Sequence, residues 1–428
     1  MRGMGYTDFL QLDAPATKDE LVCTFRLEQD PSVAFSWAAG ALAAESSIGT
    51  WDPDLTTMTE DARKLGARVV KLDEARKLAW IAYPAGLFEA GNLAQLLSSV
   101  VGNVYGLREV RKLRFVDCDF PAAYARAFPG PQVGLEGVRK MTGVKDRPIL
   151  GTIVKPKLGL DADRWAEAAY KAWRGGVDFV KDDENLTDMV FNRFDARAER
   201  VLRLKRKAEA ETGEKKLYFS NISAPVREMK RRADLVVGLG NEYVMIDILT
   251  VGWAAVQEMR DHLEGKGVAI HAHRAMHGAF SRLDEHGIDM LPVSKWARLA
   301  GCDNLHAGTL GTGKMFTEGG KSHARQIYDF LKSDWHGLKR TIPVASGGLH
   351  PGVMPQLLEA AGGPDFAATA GGGVHGNPLG SEAGAKALRA ATEAAVRGEA
   401  LEDAAKRVPE LAAALKRWGT KPPSQVED

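Results

Sequence analysis

The sequence is poor in cysteine and carries almost no net charge. Its three cysteines, Cys23, Cys118 and Cys302, lie far apart in 428 residues and form no CxxC motif. Such a set argues against a disulfide framework and predicts small buried thiols in a reducing compartment. The formal net charge is +1, so no global field draws the chain towards nucleic acid or a membrane surface.

Long apolar runs and targeting signals are also missing. No uncharged apolar run reaches the roughly 18 to 20 residues that span a bilayer, and the N-terminus lacks the basic-then-apolar pattern of a signal peptide. We therefore expect a cytoplasmic protein without nucleic-acid or membrane partners. What is present is an ordinary enzyme composition, 45% apolar and 26% charged, in a chain long enough for two or more domains.

The first part of the chain mixes strand and helix patterns. The segments ELVCTFRLE, ARVVKLD and KLAWIAYP are strand-like, whereas VAFSWAAGALAAESS and NLAQLLSSVVGN are helical. Asn92 is placed to cap the second of these helices at its N-terminus. These patterns predict a smaller N-terminal α+β domain, of ferredoxin-like type, over residues 1–130.

From about residue 148 the pattern becomes a regular alternation of strands and helices. Eight short apolar segments recur, each followed by a helix-compatible stretch: PILGTIVKP, GVDFVKDDE, KLYFSNIS, EYVMIDI, GVAIHAHR, CDNLHAG, IPVASGGL and FAATAGGG. Alternation of this kind predicts a parallel sheet. Eight units favour an α/β fold with a closed (β/α)₈ TIM barrel over residues 131–428, ending in a helical extension, rather than an open doubly wound sheet.

Charged, histidine-bearing and glycine-rich motifs follow the predicted strands at their C-terminal ends. Barrel enzymes build their active sites on this face. The motifs are Lys155 and Lys157 after the first strand, Lys181, Asp183 and Glu184 after the second, His271, His273, Arg274 and His277 after the fifth, His306 in the sixth, Ser346-Gly347-Gly348 after the seventh, and Gly371-Gly372-Gly373 after the eighth.

Lys155 and Lys157 are two residues apart, so on a strand their side chains face the same side. Two adjacent ammonium groups are unfavourable unless an anion lies between them. Desolvation would also lower a lysine pKa towards the range useful for proton transfer. Two solvated lysines in a loop after Pro156 are the alternative, and the pair alone does not decide between them.

Lys181 and Asp183 likewise share one face, with Glu184 at the turn. Two carboxylates are the hard oxygen ligands that suit Mg²⁺. A lysine is the wrong ligand as an ammonium, but it could form a salt bridge with the acids, or react with CO₂ and become a carbamate ligand. A charged surface turn is the commoner use of KDDEN, and spacing alone leaves these alternatives open.

The histidines and glycines at the other strand ends indicate anion binding. Four histidines from two neighbouring strands surround Arg274, which is a natural bidentate phosphate partner. Glycine backbones after the last two strands of a barrel commonly hold a phosphate, although GGG can also be a simple turn. The loop HAGTLGTGKMFTEGGK, with Lys314 at its centre, is either a closing lid or a flexible surface loop.

Together these motifs predict a Mg²⁺ site at the second strand, flanked by phosphate-binding groups. Such a site suits a small sugar bisphosphate. The expected chemistry is proton abstraction next to a carbonyl, with the metal stabilising an enediolate.

The motifs GTIVKPKLGL, GGVDFVKDDEN, HAHRAMH, LHAGT, VASGG and GGGVHGNP, with AAESSIGTW and GNVYG earlier in the chain, resemble the large subunit of ribulose-1,5-bisphosphate carboxylase/oxygenase (RuBisCO). The resemblance covers nearly the whole chain, in order and at the family's spacing. It implies Mg²⁺-dependent carboxylation of ribulose 1,5-bisphosphate to two 3-phosphoglycerate, with O₂ as a competing substrate. The chain is shorter at both ends than plant-type members of the family, and in this it resembles the archaeal form III branch or the II/III branch.

The resemblance also implies a role for each site residue. Lys181 would carry a carbamate formed from an activating CO₂, hold Mg²⁺ with Asp183 and Glu184, and remove the C3 proton of the substrate. The resemblance implies proton transfers for Lys155, assistance at the metal and substrate oxygens for Lys157, and proton transfer and hydration for His273. Lys314 would close over the added carboxylate, and further substrate contacts would come from Thr152, His277 and Ser346. One phosphate would be held by Arg274 and His306, and the other by Thr50, Trp51, Gly348, Gly372 and Gly373.

The resemblance further implies an assembly of identical chains. Glu45 and Asn103 would complete the active site of a neighbouring subunit, so a homodimer or a larger homo-oligomer with shared sites is expected, without a small subunit. Two positions depart from the common pattern: Met315 and the FTEGG segment follow the lid lysine, and Asn377 stands where a histidine is common.

Two other functions compete with this interpretation. A RuBisCO-like enolase or isomerase acting on a related sugar phosphate would keep the metal residues but typically lose several carboxylation residues. A barrel retained for binding or assembly would lose the charged site residues. Both sets of residues are present here, which favours the carboxylase.

Overall fold

The protein is described here from a computed structural model that covers residues 5–49, 52, 54–315, 317 and 319–423. Within these residues the chain forms two compact units. The first contains the N-terminal part of the chain up to Pro129 together with Met276–Leu299, and the second contains Gly130–Ala275 with the chain from Ala300 onwards. No helix among the described residues is both long and apolar enough to cross a membrane.

The first unit is built on a five-stranded mixed sheet. Its strands are β1 (Glu20–Gln29), β2 (Arg68–Asp73), β3 (Leu78–Pro84), β4 (Val110–Asp119) and β10 (Gly287–Ile288), and they lie in the order β10-β4-β1-β3-β2. Only the short β10 runs parallel to its neighbour. Side chains of β1 alternate between buried and half-buried, as expected for a strand with one face on the core. This agrees with the predicted α+β domain, although the sequence patterns did not single out β4.

Met276–Leu299 is a segment between two barrel strands that belongs to the first unit. Two ion pairs hold it there. Nε of Arg114 donates to Asp289 at 2.7 Å, and both side chains are buried. Nζ of Lys295 lies 2.7 Å from Asp117. Sequence patterns gave no indication that this segment belongs to the first unit, because the two residues of each ion pair are more than a hundred residues apart along the chain.

The second unit is a closed barrel of eight parallel strands. They are β5 (Ile149–Ile153), β6 (Phe179–Lys181), β7 (Leu217–Asn221), β8 (Tyr243–Asp247), β9 (Ala269–His273), β11 (Asn304–His306), β12 (Ile342–Ser346) and β13 (Ala367–Thr369). Each of the eight predicted strand segments contains one of them. The pairing of β13 with β5 closes the barrel and excludes the open doubly wound sheet.

The barrel interior is packed at its N-terminal end. The rings of Phe179 and Phe219 stack with their centroids 4.4 Å apart, and a side chain on Gly151 would meet the Phe179 ring at 2.2 Å. Leu135 and Val138 join the same cluster, so their helix packs against the first residues of the strands. The N-terminal end of the barrel interior is therefore closed by apolar side chains.

Both units also contain helices. In the first unit they are α1 (Phe35–Glu45), α2 (Glu60–Lys64), α3 (Leu93–Val100), α4 (Ala122–Ala125), α11 (His277–Ser281) and α12 (Met290–Leu299). In the second they are α5 (Gly134–Thr142), α6 (Ala162–Arg174), α7 (Phe194–Thr212), α8 (Val226–Gly238), α9 (Ile248–Val251), α10 (Trp253–His262), α13 (Gly320–Lys332), α14 (Met354–Ala361), α15 (Gly372–His375), α16 (Ser381–Val396), α17 (Leu401–Ala405) and α18 (Pro409–Trp418). The side chain of Asn92 caps α3 by accepting from the N–H of Gln95, as predicted.

Candidate active site

Lys181 is the last residue of β6 and lies inside the barrel mouth with a side chain only 1% exposed. Its Nζ donates to the backbone oxygen of Asp182 at 2.7 Å and lies 3.7 Å from Oε2 of Glu184. Burial lowers the pKa of Lys181 from its ordinary value, because the charged form loses its water. The solvated surface turn is therefore wrong, and the unmodified lysine forms a buried ion pair.

Asp183 is the second acid of the cluster and is held by residues on both sides. Lys155 approaches from the loop after β5, with its Nζ 2.8 Å from Oδ2. The side-chain amide of Asn185 donates to Oδ1 at 3.0 Å. Burial raises the pKa of Asp183, but Lys155 and Asn185 outweigh burial and lower it overall. The carboxylate is thus ionised and paired with Lys155.

Asp182, between these two residues, points away from them and is fully buried. Its carboxylate accepts from Nε of Arg197 at 3.1 Å, from Nη2 of Arg197 at 3.2 Å, from the hydroxyl of Tyr218 and from the backbone N–H of Asn221. A buried charge is tolerated when it is paired and fully hydrogen-bonded. Asp182 therefore anchors the turn and leaves its two neighbours facing the mouth.

The imidazole of His273 lies between two carboxylates. Nε2 is 3.5 Å from Oε2 of Glu184, and Nδ1 is 3.5 Å from Oδ1 of Asp247. Nδ1 accepts the backbone N–H of Ala275 at 3.1 Å, so the ring hydrogen of the neutral form is on Nε2. Burial, assisted by Lys181, lowers the pKa of His273 to about 3. His273 is consequently neutral near pH 7 and directs its hydrogen at Glu184.

Asp247 and Asn221 complete this cluster, and the sequence patterns missed both. Asp247 ends β8 with a side chain 5% exposed, and burial raises its pKa to about 7. The Asn221 amide donates to the backbone oxygen of Glu184 at 3.1 Å and lies 3.4 Å from Oδ2 of Asp247. Each is the last residue of a barrel strand, and this position is the sequence signal that could have indicated a site residue.

Three side chains from neighbouring strands form a hydrogen-bonded chain next to His273, whose ring centroid lies 4.4 Å from that of His306. Nε2 of His271 lies 2.9 Å from Nε2 of His306, and Nδ1 of His306 lies 2.6 Å from Oγ of Ser346. Burial lowers the pKa of both histidines well below the ordinary value. The two rings are therefore neutral. Arg274 belongs to the same region, with its guanidinium next to the backbone of Gly308.

The lid lysine lies against the loop after β12. The backbone N–H of Lys314 donates to the oxygen of Gly347 at 3.0 Å. Gly348 has φ of +80°, and a Cβ there would meet the Lys314 backbone nitrogen at 2.8 Å. Met315 is 60% exposed. Met315, the unusual residue after Lys314, therefore presents its side chain to solvent, and the backbone of Lys314 lies against the Ser346-Gly347-Gly348 motif.

The glycines after β13 also allow neighbouring atoms to approach their backbone closely. A Cβ on Gly373 would meet the backbone oxygen of Leu349 at 2.3 Å, and one on Gly371 would meet Cε of Lys155 at 2.9 Å. Gly372 has open space around it. Thr152 is fully buried and donates its hydroxyl to the oxygen of Ala370 at 2.8 Å. The ends of β5, β12 and β13 thus meet around the predicted phosphate motif.

Three of the remaining predicted residues belong to the first unit. Glu45 and Asn103 belong to the first unit, and both are exposed. His277 also belongs to that unit, where Nδ1 lies 3.2 Å from the hydroxyl of Ser281. Lys157 is exposed in the loop after β5. Thr50 and Trp51 lie outside the described residues.

Asn377, at a position where a histidine is common, has a structural role. Its amide donates to the oxygen of Glu410 at 3.1 Å and accepts the backbone N–H of Leu379 at 3.0 Å. Both ends of the side chain are used within the barrel unit. The residue therefore ties the loop after α15 to α18.

The side chains of this cluster offer oxygen ligands to a metal ion. No group of three or more histidine, cysteine, aspartate or glutamate side chains arranged to hold an ion occurs in the described part of the chain. Asp183 and Glu184 supply two carboxylates, which suits Mg²⁺ when other oxygen ligands are added. The third nearby side chain is Lys181. The residues fit a Mg²⁺ site if this lysine becomes an oxygen ligand.

Comparisons with known proteins agree with this geometry. Residues 8–124 match the family model described as ribulose bisphosphate carboxylase large chain, N-terminal domain, and residues 134–418 match that of the catalytic domain. The ribulose bisphosphate carboxylase of Pyrococcus abyssi is 47% identical over 97% of both chains. That of Methanosarcina mazei is 45% identical over 96% of this chain and 99% of its own.

Solved structures of archaeal proteins agree as well. The octameric Rubisco of Pyrococcus horikoshii superposes with a TM-score of 0.92 at 47% identity, covering 97% of this chain and 98% of that one. The dimeric Rubisco of Hyperthermus butylicus gives 0.91 at 41% identity, over 97% and 99%. With both domain models matched and these relatives covered almost end to end, the chain belongs to the ribulose bisphosphate carboxylase large-chain family.

Proposed function

We propose that this chain carboxylates ribulose 1,5-bisphosphate to give two molecules of 3-phosphoglycerate, with O₂ as a competing substrate. The observation that carries the proposal is the cluster at the end of β6, where the buried Lys181 lies beside Glu184, feels the charge of Asp183 and has a lowered pKa. A lysine must be neutral to attack CO₂, and burial favours the neutral amine. A carbamate formed on this amine would add a third anionic oxygen ligand to the carboxylates of Asp183 and Glu184.

Lys181, Asp183 and Glu184 would hold Mg²⁺. When bound, the ion supplies Lewis-acid stabilisation of an enediolate. Around it, the carbamate on Lys181 would accept the C3 proton of the substrate, and His273 would assist proton transfer from its place beside Glu184. Lys155, which reaches Asp183, would protonate the product, while Lys157 would assist at the substrate oxygens.

The substrate's two phosphates would bind on opposite sides of this cluster. Arg274 would hold one of them through its guanidinium, with His306 beside it, both of whose ring nitrogens face other side chains. Gly348, Gly372 and Gly373 would offer backbone N–H groups to the other, together with Thr50 and Trp51. Further predicted contacts to the substrate come from Thr152, His277 and Ser346, and Lys314 would close over the new carboxylate.

We further propose that the chain works as a homo-oligomer. The related archaeal proteins include an octameric and a dimeric one, and both consist of chains similar to this one over nearly their full length. Glu45 and Asn103 are exposed and so are available to complete the site of a neighbouring subunit. No small subunit is required by this proposal.

The decisive experiment is carboxylation with labelled bicarbonate. Purified protein is first incubated with CO₂ and Mg²⁺, and ribulose 1,5-bisphosphate is then added. We expect labelled 3-phosphoglycerate from the wild type and none from Lys181→Ala. Enolisation or isomerisation of the substrate without label incorporation would instead support the RuBisCO-like alternative, which the relatives named above do not favour.

A further inference from the structure

His271 is a buried polar residue to which the proposed reaction gives no role. It lies in β9, directly beside Asn304 of β11, and its side chain is completely buried. The ring of Phe219 lies against it, with the centroids 4.7 Å apart. A polar ring in apolar surroundings is costly unless it makes hydrogen bonds. Its only partner within the described residues is His306, through the 2.9 Å contact between the two Nε2 atoms.

The positions of the ring hydrogens follow from counting donors. Each neutral imidazole carries one N–H. Nδ1 of His271 is buried and has no hydrogen-bond partner among the described residues. A hydrogen there would be an orphaned buried donor, which folded proteins rarely tolerate. The hydrogen of His271 therefore belongs on Nε2, where it can be donated to His306.

The position of this hydrogen on His271 determines where the hydrogens of His306 and Ser346 lie. Because Nε2 of His306 accepts, the single hydrogen of His306 must be on Nδ1. Nδ1 then donates to Oγ of Ser346 at 2.6 Å. The hydroxyl hydrogen of Ser346 consequently cannot point at His306, and it is left to be donated elsewhere. Ser346 is half-buried at the end of β12, so the open direction is the mouth of the barrel.

We infer that His271 is a positioning residue: it fixes His306 as the Nδ1–H tautomer and thereby makes Ser346 a hydrogen-bond donor towards an acceptor oxygen of the substrate. His306 then supports substrate binding through Ser346, because both of its ring nitrogens are engaged. The identity of the substrate rests on the proposed function. The tautomer assignment does not, since it follows from the hydrogen-bonded chain alone.

The first test is nuclear magnetic resonance of protein labelled with ¹⁵N in histidine, since the two tautomers differ in the shifts of both ring nitrogens. We expect His306 in the Nδ1–H form in the wild type. In His271→Leu, His306 loses its donor and should shift towards a mixture of tautomers. In His271→Gln, whose amide can still donate, the Nδ1–H form should be restored. His306 in the Nε2–H form in the wild type would overturn the inference.

The second test measures binding without turnover. Calorimetry on protein without Mg²⁺ gives the dissociation constant of ribulose 1,5-bisphosphate, so it does not depend on carboxylase activity. We expect about tenfold weaker binding for His271→Leu, of the size seen when a hydrogen bond is lost, and recovery in His271→Gln. The control His262→Leu removes a histidine paired with Asp234 on the outer helices and should leave binding unchanged.

A double-mutant cycle separates positioning from general destabilisation. If His271 acts through Ser346, His271→Leu should change binding less than about twofold in a Ser346→Ala background, because the coupled group is gone. An equal, tenfold loss in both backgrounds would contradict the inference. If the wild type shows the predicted tautomer but does not carboxylate ribulose 1,5-bisphosphate, the proposed function is contradicted and the positioning role of His271 is not.

Discussion

Nζ of Lys155 and Oδ2 of Asp183 are 2.8 Å apart, so a lysine from the end of β5 neutralises an acid from the end of β6. Lys155 is 35% exposed at its side chain, whereas Asp183 is 2% exposed. A cation that binds Asp183 must therefore compete with an ammonium group already in place. The pair explains how two carboxylates can lie close together at the mouth of the barrel before an ion binds.

Replacing Lys155 with methionine removes this competitor while keeping a similar side-chain length. We expect Lys155→Met to bind Mn²⁺, a probe for Mg²⁺, several-fold more tightly, because a close opposite charge is worth on the order of 1 kcal/mol in a partly exposed pair. Turnover should fall at least a hundredfold if the lysine transfers protons. Electron paramagnetic resonance titration and the labelled assay measure the two effects. Weaker metal binding in the variant would contradict the competition.

The lowered pKa of Lys181 predicts the pH dependence of activation. Only the neutral amine reacts with CO₂, and burial lowers the pKa of this lysine from its ordinary value of 10.5. The rate of activation at constant dissolved CO₂ should therefore rise with pH and reach half its maximum below pH 10.5. The measurement is the time course of activity after adding CO₂ and Mg²⁺ at each pH. A midpoint at or above 10.5 would show that burial has no influence here.

The buried pair between Arg197 and Asp182 predicts a large stability effect. Both side chains are 0% exposed, so removing Arg197 leaves the buried carboxylate of Asp182 without a positive partner. We expect Arg197→Met to lose about 3–5 kcal/mol of unfolding free energy, measured by denaturant titration at fixed protein concentration. The exposed pair of Lys64 and Asp61 provides the control, and Lys64→Ala should cost at most about 1 kcal/mol. Equal losses in the two variants would refute the anchoring role of Asp182.

Much of the barrel could be predicted because its strands are buried on both faces and therefore read as short apolar runs. Strand β4 could not, since VRKLRFVDCD alternates charges with apolar residues and resembles a solvated segment. The segment Met276–Leu299 carries helical patterns like its neighbours. Its place in the first unit depends on pairs such as Arg114 with Asp289, which local patterns do not reveal.

The candidate site divides in the same way. The motifs at strand ends were predictable because parallel strands place their C-terminal ends on one face. Partners without a motif of their own were not. Asn221 and Asp247 each end an unremarkable apolar strand, and nothing in their spacing indicates that they approach Glu184 and His273. Spacing also could not choose between an ion pair and a carbamate at Lys181, because both need the same neighbours.

Asp247 predicts a pH-dependent stability. Burial raises its folded-state pKa to about 7 from an ordinary 3.8, so the folded chain holds this proton more tightly than the unfolded one. The contribution to stability is fully present below about pH 4 and is lost as the pH rises through about 7. The full difference is on the order of 4 kcal/mol. Asp247→Asn should therefore be more stable than the wild type at pH 8 without metal.

The advantage of Asp247→Asn should shrink as the pH falls to 5, where Asp247 is itself neutral in the folded chain. Denaturant titrations of both proteins across this range measure the difference directly. Asp163→Asn is the matched control, because its side chain is 73% exposed and its substitution should give no such trend. A difference that stays constant with pH would contradict the raised pKa.

Glu45 and Asn103 predict that two chains share each active site. Both are exposed residues of the first unit, whereas Lys181 is buried in the barrel unit. If Glu45 serves the barrel of a neighbouring subunit, Glu45→Gln and Lys181→Ala homo-oligomers should each be inactive. In mixed dimers one of the two sites would combine an intact Glu45 with an intact Lys181.

Mixing the variants under conditions that allow subunit exchange should then restore up to about a quarter of wild-type activity, since half of the dimers are mixed and half of their sites are intact. Exchange is followed independently by native mass spectrometry of one labelled variant. Mixed oligomers that form but stay inactive would mean that Glu45 acts within its own chain.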